Sequence, residues 1–316
     1  MPRRAPRGDD AALNALHKRP MSFTLAHLSD VHLSPLPAPR VSDLIGKRIT
    51  GYINWLRKRR RAHDRSVLNF LVDDLTAQSP DHIAITGDLV NLALEEEFAR
   101  GRKWLQQLGS FKDVSFVPGN HDAYVRQAVR YAPQWAPYMT GDNGVVGFPY
   151  VRRRGPAALI SLSTAIATAP FMATGRLGEA QVKALGPLLD ALKTEGLFRI
   201  ILIHHPPVTE SQSHKRLLDA WALVEAIAAH GAELLLHGHD HLHMLNWLTG
   251  PDGTRVPAIG VPSASAAPGL SHDAAAYNLY AIGGGPGAWT CQMTARGIGP
   301  GGGIVETGPV PLLAPA

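Results

Sequence analysis

Six short apolar runs in this chain share one habit, and it limits the folds open to the chain more than any other feature. "FTLAHLSD", "DHIAITGD", "VSFVPGNHD", "ALISLST", "RIILIHHPP" and "AELLLHGHDH" each close on a polar or turn residue, and all but "ALISLST" deliver carboxylate, amide or imidazole side chains. Apolar runs this short, rich in β-branched residues and bounded by turn signals, read as buried strands. Between several of them lie segments with helical periodicity, at residues 66–77, 94–108, 178–193 and 215–229. Such alternation predicts a layered α/β domain.

Composition agrees with a globular body. The chain has 316 residues, 45% of them apolar and 18% charged. No apolar run reaches the ~18–20 residues needed to span a bilayer, and the N-terminus lacks the apolar stretch of a secretory signal. One cysteine, Cys291, excludes an intramolecular disulfide framework and any all-cysteine metal site, so a cytoplasmic location is expected. Residues 1–20 carry five basic and two acidic side chains and residues 47–65 carry eight and one, so most of the chain is mildly acidic despite its net +5. That distribution argues against nucleic acid as a partner, which would call for a broad basic surface.

Residues 1–20 are expected to be a disordered extension, with Met21 an alternative start. Residues 21–295 form the expected domain, carrying an insert at 44–65. "VPAIGV", "YNLYAIGG" and "GAWTCQM" suggest a second, more antiparallel sheet, and the Gly/Pro-rich tail at 296–316 is expected to be loosely ordered.

Ligand sites of open α/β sheets form outside the carboxyl ends of the strands. Here those ends carry Asp30 and His32, then Asp88, then Asn120, His121 and Asp122, then His204 and His205, and finally His239 and His241. Oxygen and nitrogen donors without thiolate suit Mn, Fe, Co or Zn. Seven candidates, Asp30, His32, Asp88, Asn120, His204, His239 and His241, exceed the needs of one ion with open positions; two divalent ions sharing a carboxylate would use them all. Asp30 and His32, two apart on an extended segment, would point to one side, and Gly87 removes a side chain where the chain turns at Asp88. Asp122 is available to orient His121.

The ordered set D-x-H (30–32), G-D (87–88), G-N-H-D (119–122), H-x-P (204–206) and G-H-x-H (238–241) resembles the calcineurin-like metallophosphoesterase superfamily. The resemblance implies a four-layer αββα sandwich with a dinuclear centre at the sheet edges. It implies one metal held by Asp30, His32, Asp88 and His241, the other by Asp88, Asn120, His204 and His239, and His121 over the substrate phosphate. His27, His63, His82, His214, His230 and His272 read as structural or surface residues, and direct ligation is not expected for His205, His237 or His243.

Two ions ~3.5–4 Å apart suit in-line displacement at phosphorus by a metal-bridged hydroxide, with His121 and Asp122 as the catalytic pair. "HHPP" followed by "HGHDH" resembles the bacterial cyclic-nucleotide and glycerophosphodiester branch, which favours a small phosphodiester. A non-catalytic metal-binding scaffold and a nuclease are the readings from other classes; intact G-N-H-D and H-x-P blocks count against the first and the acidic body against the second.

The insert "LIGKRITGYINWLRKRRRAHDR" reads as a helix from Leu44 with Ile45, Ile49, Tyr52, Ile53 and Leu56 on one side, Trp55 near them and basic residues elsewhere. Either it packs its apolar side on the domain with its charges solvated, or it is a cap that meets an anionic membrane surface, or a lipid substrate, between Lys47 and Arg61. A cap at this position resembles that of bacterial enzymes cleaving UDP-2,3-diacylglucosamine, which makes a nucleotide-lipid pyrophosphohydrolase the alternative.

Overall fold

The computed structural model describes residues 22–208, 213–269 and 273–314; the N-terminal extension, Met21 and His272 lie outside them. The strands assemble into two six-stranded sheets. In the first, β1 (Phe23–Leu28), β2 (His82–Ile85) and β3 (Val114–Phe116) run parallel. Antiparallel β10 (Ala276–Gly283), β11 (Thr290–Ile298) and β12 (Ile304–Leu313) extend it beyond β1. In the second, β5 (Ala157–Ser161), β6 (Phe198–Leu202), β7 (Leu234–His237) and β9 (Arg255–Gly260) are parallel, flanked by antiparallel β4 (Tyr150–Arg154) and β8 (Met244–Thr249).

The continuously apolar strands still obey a period of two, because both faces are covered. Phe23 and Leu25 of β1 meet Phe198, Ile200 and Leu202 of β6 and Leu234 and Leu236 of β7 in a core between the sheets. The alternate residues Ala26 and Leu28 face outward. They join Leu68, Leu71 and Leu75 of α2 (Arg65–Ala77) and Phe98 and Leu105 of α3 (Glu95–Leu108). Across the molecule Ile201 and Leu235 pack with Leu185 and Leu189 of α4 (Glu179–Thr194) and Leu223 and Ile227 of α5 (Ala220–His230). The result is the four-layer αββα sandwich.

Two expectations need correction. The C-terminal strands do not build a sheet of their own: β9 joins the second sheet beside β7, while β10–β12 extend the first. Strand partners are set by non-local register, and Tyr280 and Ile282 of β10 are buried in the inter-sheet core. Nor is the tail loose throughout, since β11 runs to Ile298 and residues 304–313 form the edge strand β12. Pro309 and Pro311, which discouraged a strand reading, are tolerated on an edge where a missing N–H costs no ladder bond.

The insert is α1 (Lys47–Asn54), a π-helical turn over Trp55–Arg59 and a short turn at Arg60–Ala62. Its orientation is not that of a helix packed on the domain by its apolar side. Lys47 and Arg48 are buried, Arg48 donating to the carbonyls of Leu92 and Ala93, whereas Ile45, Ile49, Ile53 and Leu56 are exposed.

Leu312 is the residue of β12 buried in the inter-sheet core. Leu312→Ala should cost about 2 kcal/mol in urea unfolding; a tail that packs on nothing would leave the midpoint unchanged.

Candidate metal centre

The strand-end loops leave β1, β2 and β7 with an unusual backbone. Asp30, His32, Asp88, His239 and His241 all adopt positive φ, from 40° at His32 to 75° at His239. Non-glycine residues rarely do so, at about 1–3 kcal/mol each, and such strain persists where surrounding bonds over-determine it. Those bonds are present: Asp30, His32 and Leu33 donate backbone N–H to the carbonyls of Gly87, Asp88 and Leu89. Asp30 and His32 therefore converge through left-handed turns, and not through the alternation of an extended segment. Glycine is required alongside: a Cβ at Gly238 would lie 1.8 Å from Ser29 Oγ, and one at Gly87, φ 103°, would lie 2.4 Å from His204 Nδ1.

Each carboxylate has one oxygen anchored and one facing the centre. Asp88 Oδ1 accepts the His121 backbone N–H at 2.7 Å, leaving Oδ2 3.8 Å from His32 Nε2 and 3.4 Å from His204 Nε2. Asp30 Oδ2 accepts the His239 N–H at 2.9 Å, and Oδ1 lies 3.1 Å from His241 Nε2 and 3.9 Å from His32 Nε2. Around His204 Nε2 stand Asn120 Oδ1 at 3.2 Å and His239 Nδ1 at 3.3 Å. All seven expected ligands are thus brought together, and Asp88 Oδ2 lies between the two groups.

Donors bound at ~2.1 Å to one ion stand roughly 3.0–3.5 Å apart, so these separations fit two metal sites after small adjustment. The imidazoles are set for ligation too. His32 Nδ1 and His204 Nδ1 contact the carbonyls of Val90 and Thr86 at 3.1 and 2.6 Å, which fixes Nδ1–H and aims each Nε2 at the centre, where that of His32 meets the Arg59 guanidinium. His239 Nε2 is buried with no hydrogen-bond partner among the described residues.

The electrostatics describe a site that attracts cations. Burial opposes ionisation of Asp30 and Asp88, yet His241 and His204 beside Asp30, and His204 and His121 beside Asp88, hold both below the usual carboxylate range. Burial likewise opposes a charge on His204, but Asp88 and Asp30 push it up to about 10. His121 moves the other way, to about 3, through burial and the neighbouring Arg59.

Asp122 requires a correction. Its carboxylate does not orient the His121 ring; the Asn91 carbonyl does, accepting from Nδ1 at 2.6 Å. Asp122 instead accepts the backbone N–H groups of Asp88, Leu89, Val90 and Gly119 at 2.8–3.2 Å. Burial and the Asp88 charge push its carboxyl up to about 8, while the N–H donors of Gly119 and Val90 oppose that rise. Asp122 is a brace beneath the ligand loops.

His205 does not need a metal: its ring nitrogens meet Thr164 Oγ1 and the Ala173 carbonyl. His237 is buried at the end of β7, and His243 is exposed. His27 and His82 are buried against Thr86 Oγ1 and Ser115 Oγ, and His230 pairs with Asp190. His63 is buried beside the centre. Its ring lies 4.4 Å from that of His32 and 5.8 Å from that of His241, with Nδ1 2.9 Å from Ser265 Oγ. His214 lines the same cleft. Sequence reasoning also missed Arg59, which enters the site, and Tyr124, which stacks on His121 at 5.4 Å. Nothing local marks them, because the insert reaches the centre only through tertiary contacts such as His63 with Ala266.

Asp122→Ala would leave four buried N–H groups without their acceptor, at roughly 1–3 kcal/mol for each that water cannot reach. Loss of at least about 3 kcal/mol in chemical unfolding, with metal content falling alongside, is the expected outcome; unchanged stability would show that the brace is dispensable.

Comparison with known proteins agrees with this geometry. A dimetal phosphatase from Danio rerio superposes with a TM-score of 0.60 at 15% identity, covering 92% of this chain and 100% of that one. A purple acid phosphatase from yellow lupin, Lupinus luteus, superposes at 0.54 with 11% identity over 91% of this chain and 53% of that one. At these identities the likeness establishes the fold alone. No curated protein matches the chain in sequence. Residues 23–243, a span that takes in every ligand named above, match the calcineurin-like phosphoesterases, and the chain belongs to that family.

Proposed function

We propose that this protein hydrolyses a phosphodiester in a cleft built over two divalent metal ions. The observation that carries the reading is the placement of Asp88 Oδ2 between two sets of nitrogen and oxygen donors, with His121 beside them. Two Lewis-acidic ions held there would neutralise phosphoryl charge and make hydroxide available near neutral pH. The protein's own groups do the rest. Asn91 fixes His121 Nδ1–H, so its Nε2, which accepts from Arg59 Nη1 in this structure, would be the atom that hydrogen-bonds or exchanges a proton with the ester once Arg59 turns to the phosphate.

A volume of about 840 Å³ is the size of a cleft for a small organic ligand. Its lining pairs cations, among them Lys47, Arg59 and Lys215, with apolar Phe171, Met172 and Ala266. That mixture suits a phosphate bearing organic groups on both sides better than a bare monoester. Manganese, iron, zinc and cobalt all fit imidazole and carboxylate donors.

A second reading, hydrolysis of a nucleotide-lipid pyrophosphate at an anionic membrane surface, draws support from the insert. Ile45 and Phe171 are 78% and 81% exposed, and Ile49, Ile53 and Leu56 continue the apolar surface along α1 and the π turn. Arg57, Lys58, Arg60 and Arg61 are exposed on the same segment. An apolar row beside exposed cations is what an interfacial helix presents to lipid. Among the described residues no helix is long and apolar enough to cross a membrane, so such contact would be peripheral. The anionic surface would be met by these four residues; Lys47, Arg48 and Arg59 face inward.

Asp88→Ala and His204→Ala should lower bound metal and the hydrolysis of bis-p-nitrophenyl phosphate together. His121→Ala should keep its metal and lose roughly 10²–10⁴-fold in rate. Full activity in His204→Ala would refute the assignment. For the second reading, the protein should co-sediment with phosphatidylglycerol vesicles and not with phosphatidylcholine vesicles. Joint replacement of Ile49 and Ile53 by Ser should abolish this; equal sedimentation with both lipids, or none with either, would remove it.

A further inference from the structure

Arg59 is half-buried in the centre and, among the described residues, has no carboxylate to pair with. Its Nη1 lies 2.8 Å from His121 Nε2 and its Nη2 2.8 Å from His32 Nε2, and these two rings are its hydrogen-bond partners among the described residues. The acidic groups that favour its charge, Asp88 first, act through space against a larger burial cost. A guanidinium carries five N–H donors in a planar fork whose natural complement is a carboxylate or a phosphate. Two ring nitrogens leave most of that fork unused at the point where the cleft opens over the ligands, and a metal on His32 Nε2 would free the donor that meets it as well.

Local backbone geometry delivers this side chain. After α1 the insert widens into a π turn over Trp55–Arg59, a rare form that recurs at functional sites. The widening buries Trp55 while Leu56, Arg57 and Lys58 stay outside, and the turn ends on Arg59 aimed inward. One turn later His63 donates its backbone N–H to the Arg59 carbonyl and packs its ring on His32. Regular α-helical phasing of the basic run would not single out Arg59 from its neighbours.

We infer that Arg59 is a substrate-binding residue of this centre, its guanidinium gripping the non-bridging oxygens of the phosphoryl group beside His121. The inference rests on the phosphoesterase reading and adds the group that recognises the phosphate independently of the metals. It also assigns the insert a direct role in the chemistry. Arginine suits this position better than lysine, because a planar fork can meet two oxygens at once and a point charge cannot.

The test uses manganese-loaded protein: wild type, Arg59→Lys and Arg59→Gln, with folding checked by circular dichroism. Three quantities are read for each: manganese content, calorimetric affinity for inorganic phosphate, and kcat and KM for bis-p-nitrophenyl phosphate. Manganese content should stay at the wild-type level in both variants. Phosphate affinity and kcat/KM should each fall at least about tenfold in Arg59→Gln, the loss expected for one hydrogen bond to a charged group, with Arg59→Lys between. Wild-type phosphate affinity in Arg59→Gln, or a loss that follows loss of manganese, would overturn the inference, as would a wild-type protein that binds no phosphate. A wild type that binds phosphate through Arg59 but cleaves no ester would sink the hydrolase reading alone.

Discussion

Two buried carboxylates facing one another across a few ångströms dominate this structure. Asp30 and Asp88 are nearly inaccessible to water, and an ionised carboxylate so placed must find compensation or lose its charge. Compensation comes from every side. One oxygen of each is tied to a backbone N–H, and the other faces His241, His32 or His204. Holding the loops in that arrangement forces five of the seven ligand candidates into left-handed backbone. The strain is sustained by the ladder between residues 30–33 and 87–89 and by the four N–H groups that Asp122 gathers beneath it.

The two sheets make this possible by meeting face to face. β1, β2 and β3 contribute Asp30, His32, Asp88, Asn120 and His121, while β6 and β7 contribute His204, His239 and His241 from the opposite sheet. The inter-sheet core of Phe23, Leu25, Phe198, Leu202 and Leu236 sets the spacing between these two half-sites. Close-packed interiors deform little, so ligand distances inherit the precision of the core. The glycines show how tight the fit is: a methyl group at Gly119 would meet Asp88 Oδ1 at 2.2 Å.

The insert gives the centre its individuality. It places an apolar row toward solvent and sends Lys47, Arg59 and His63 inward, the reverse of a helix that stabilises a core. Lys47 stands 4.4 Å over the Tyr124 ring, which stacks in turn on His121, so insert and ligand loops share one packed unit. Exposed apolar surface of this kind has no stabilising value for an isolated chain.

Much of this was legible in the chain itself. Short apolar strands that end on Asp, Asn or His mark both their own burial and the end at which a site forms, so the layered α/β body and the seven ligand candidates could be read from local patterns, while the four-layer sandwich followed from the family resemblance. The same locality is why other features were hidden. The partner of β12 is β11, and proline in the tail speaks only about hydrogen bonds that an edge strand does not need. The contact between Asn91 and His121 spans 30 residues and uses a backbone carbonyl, which has no sequence signature. Arg59 looks like one basic residue among five until the π turn and the docking of His63 against the 263–266 segment single it out. Hydrophobic periodicity records which face of a segment is apolar; which way that face turns depends on partners such as the Leu92 and Ala93 carbonyls that hold Arg48 and the Met172 carbonyl that holds Lys47, and these meet the insert only in the tertiary structure.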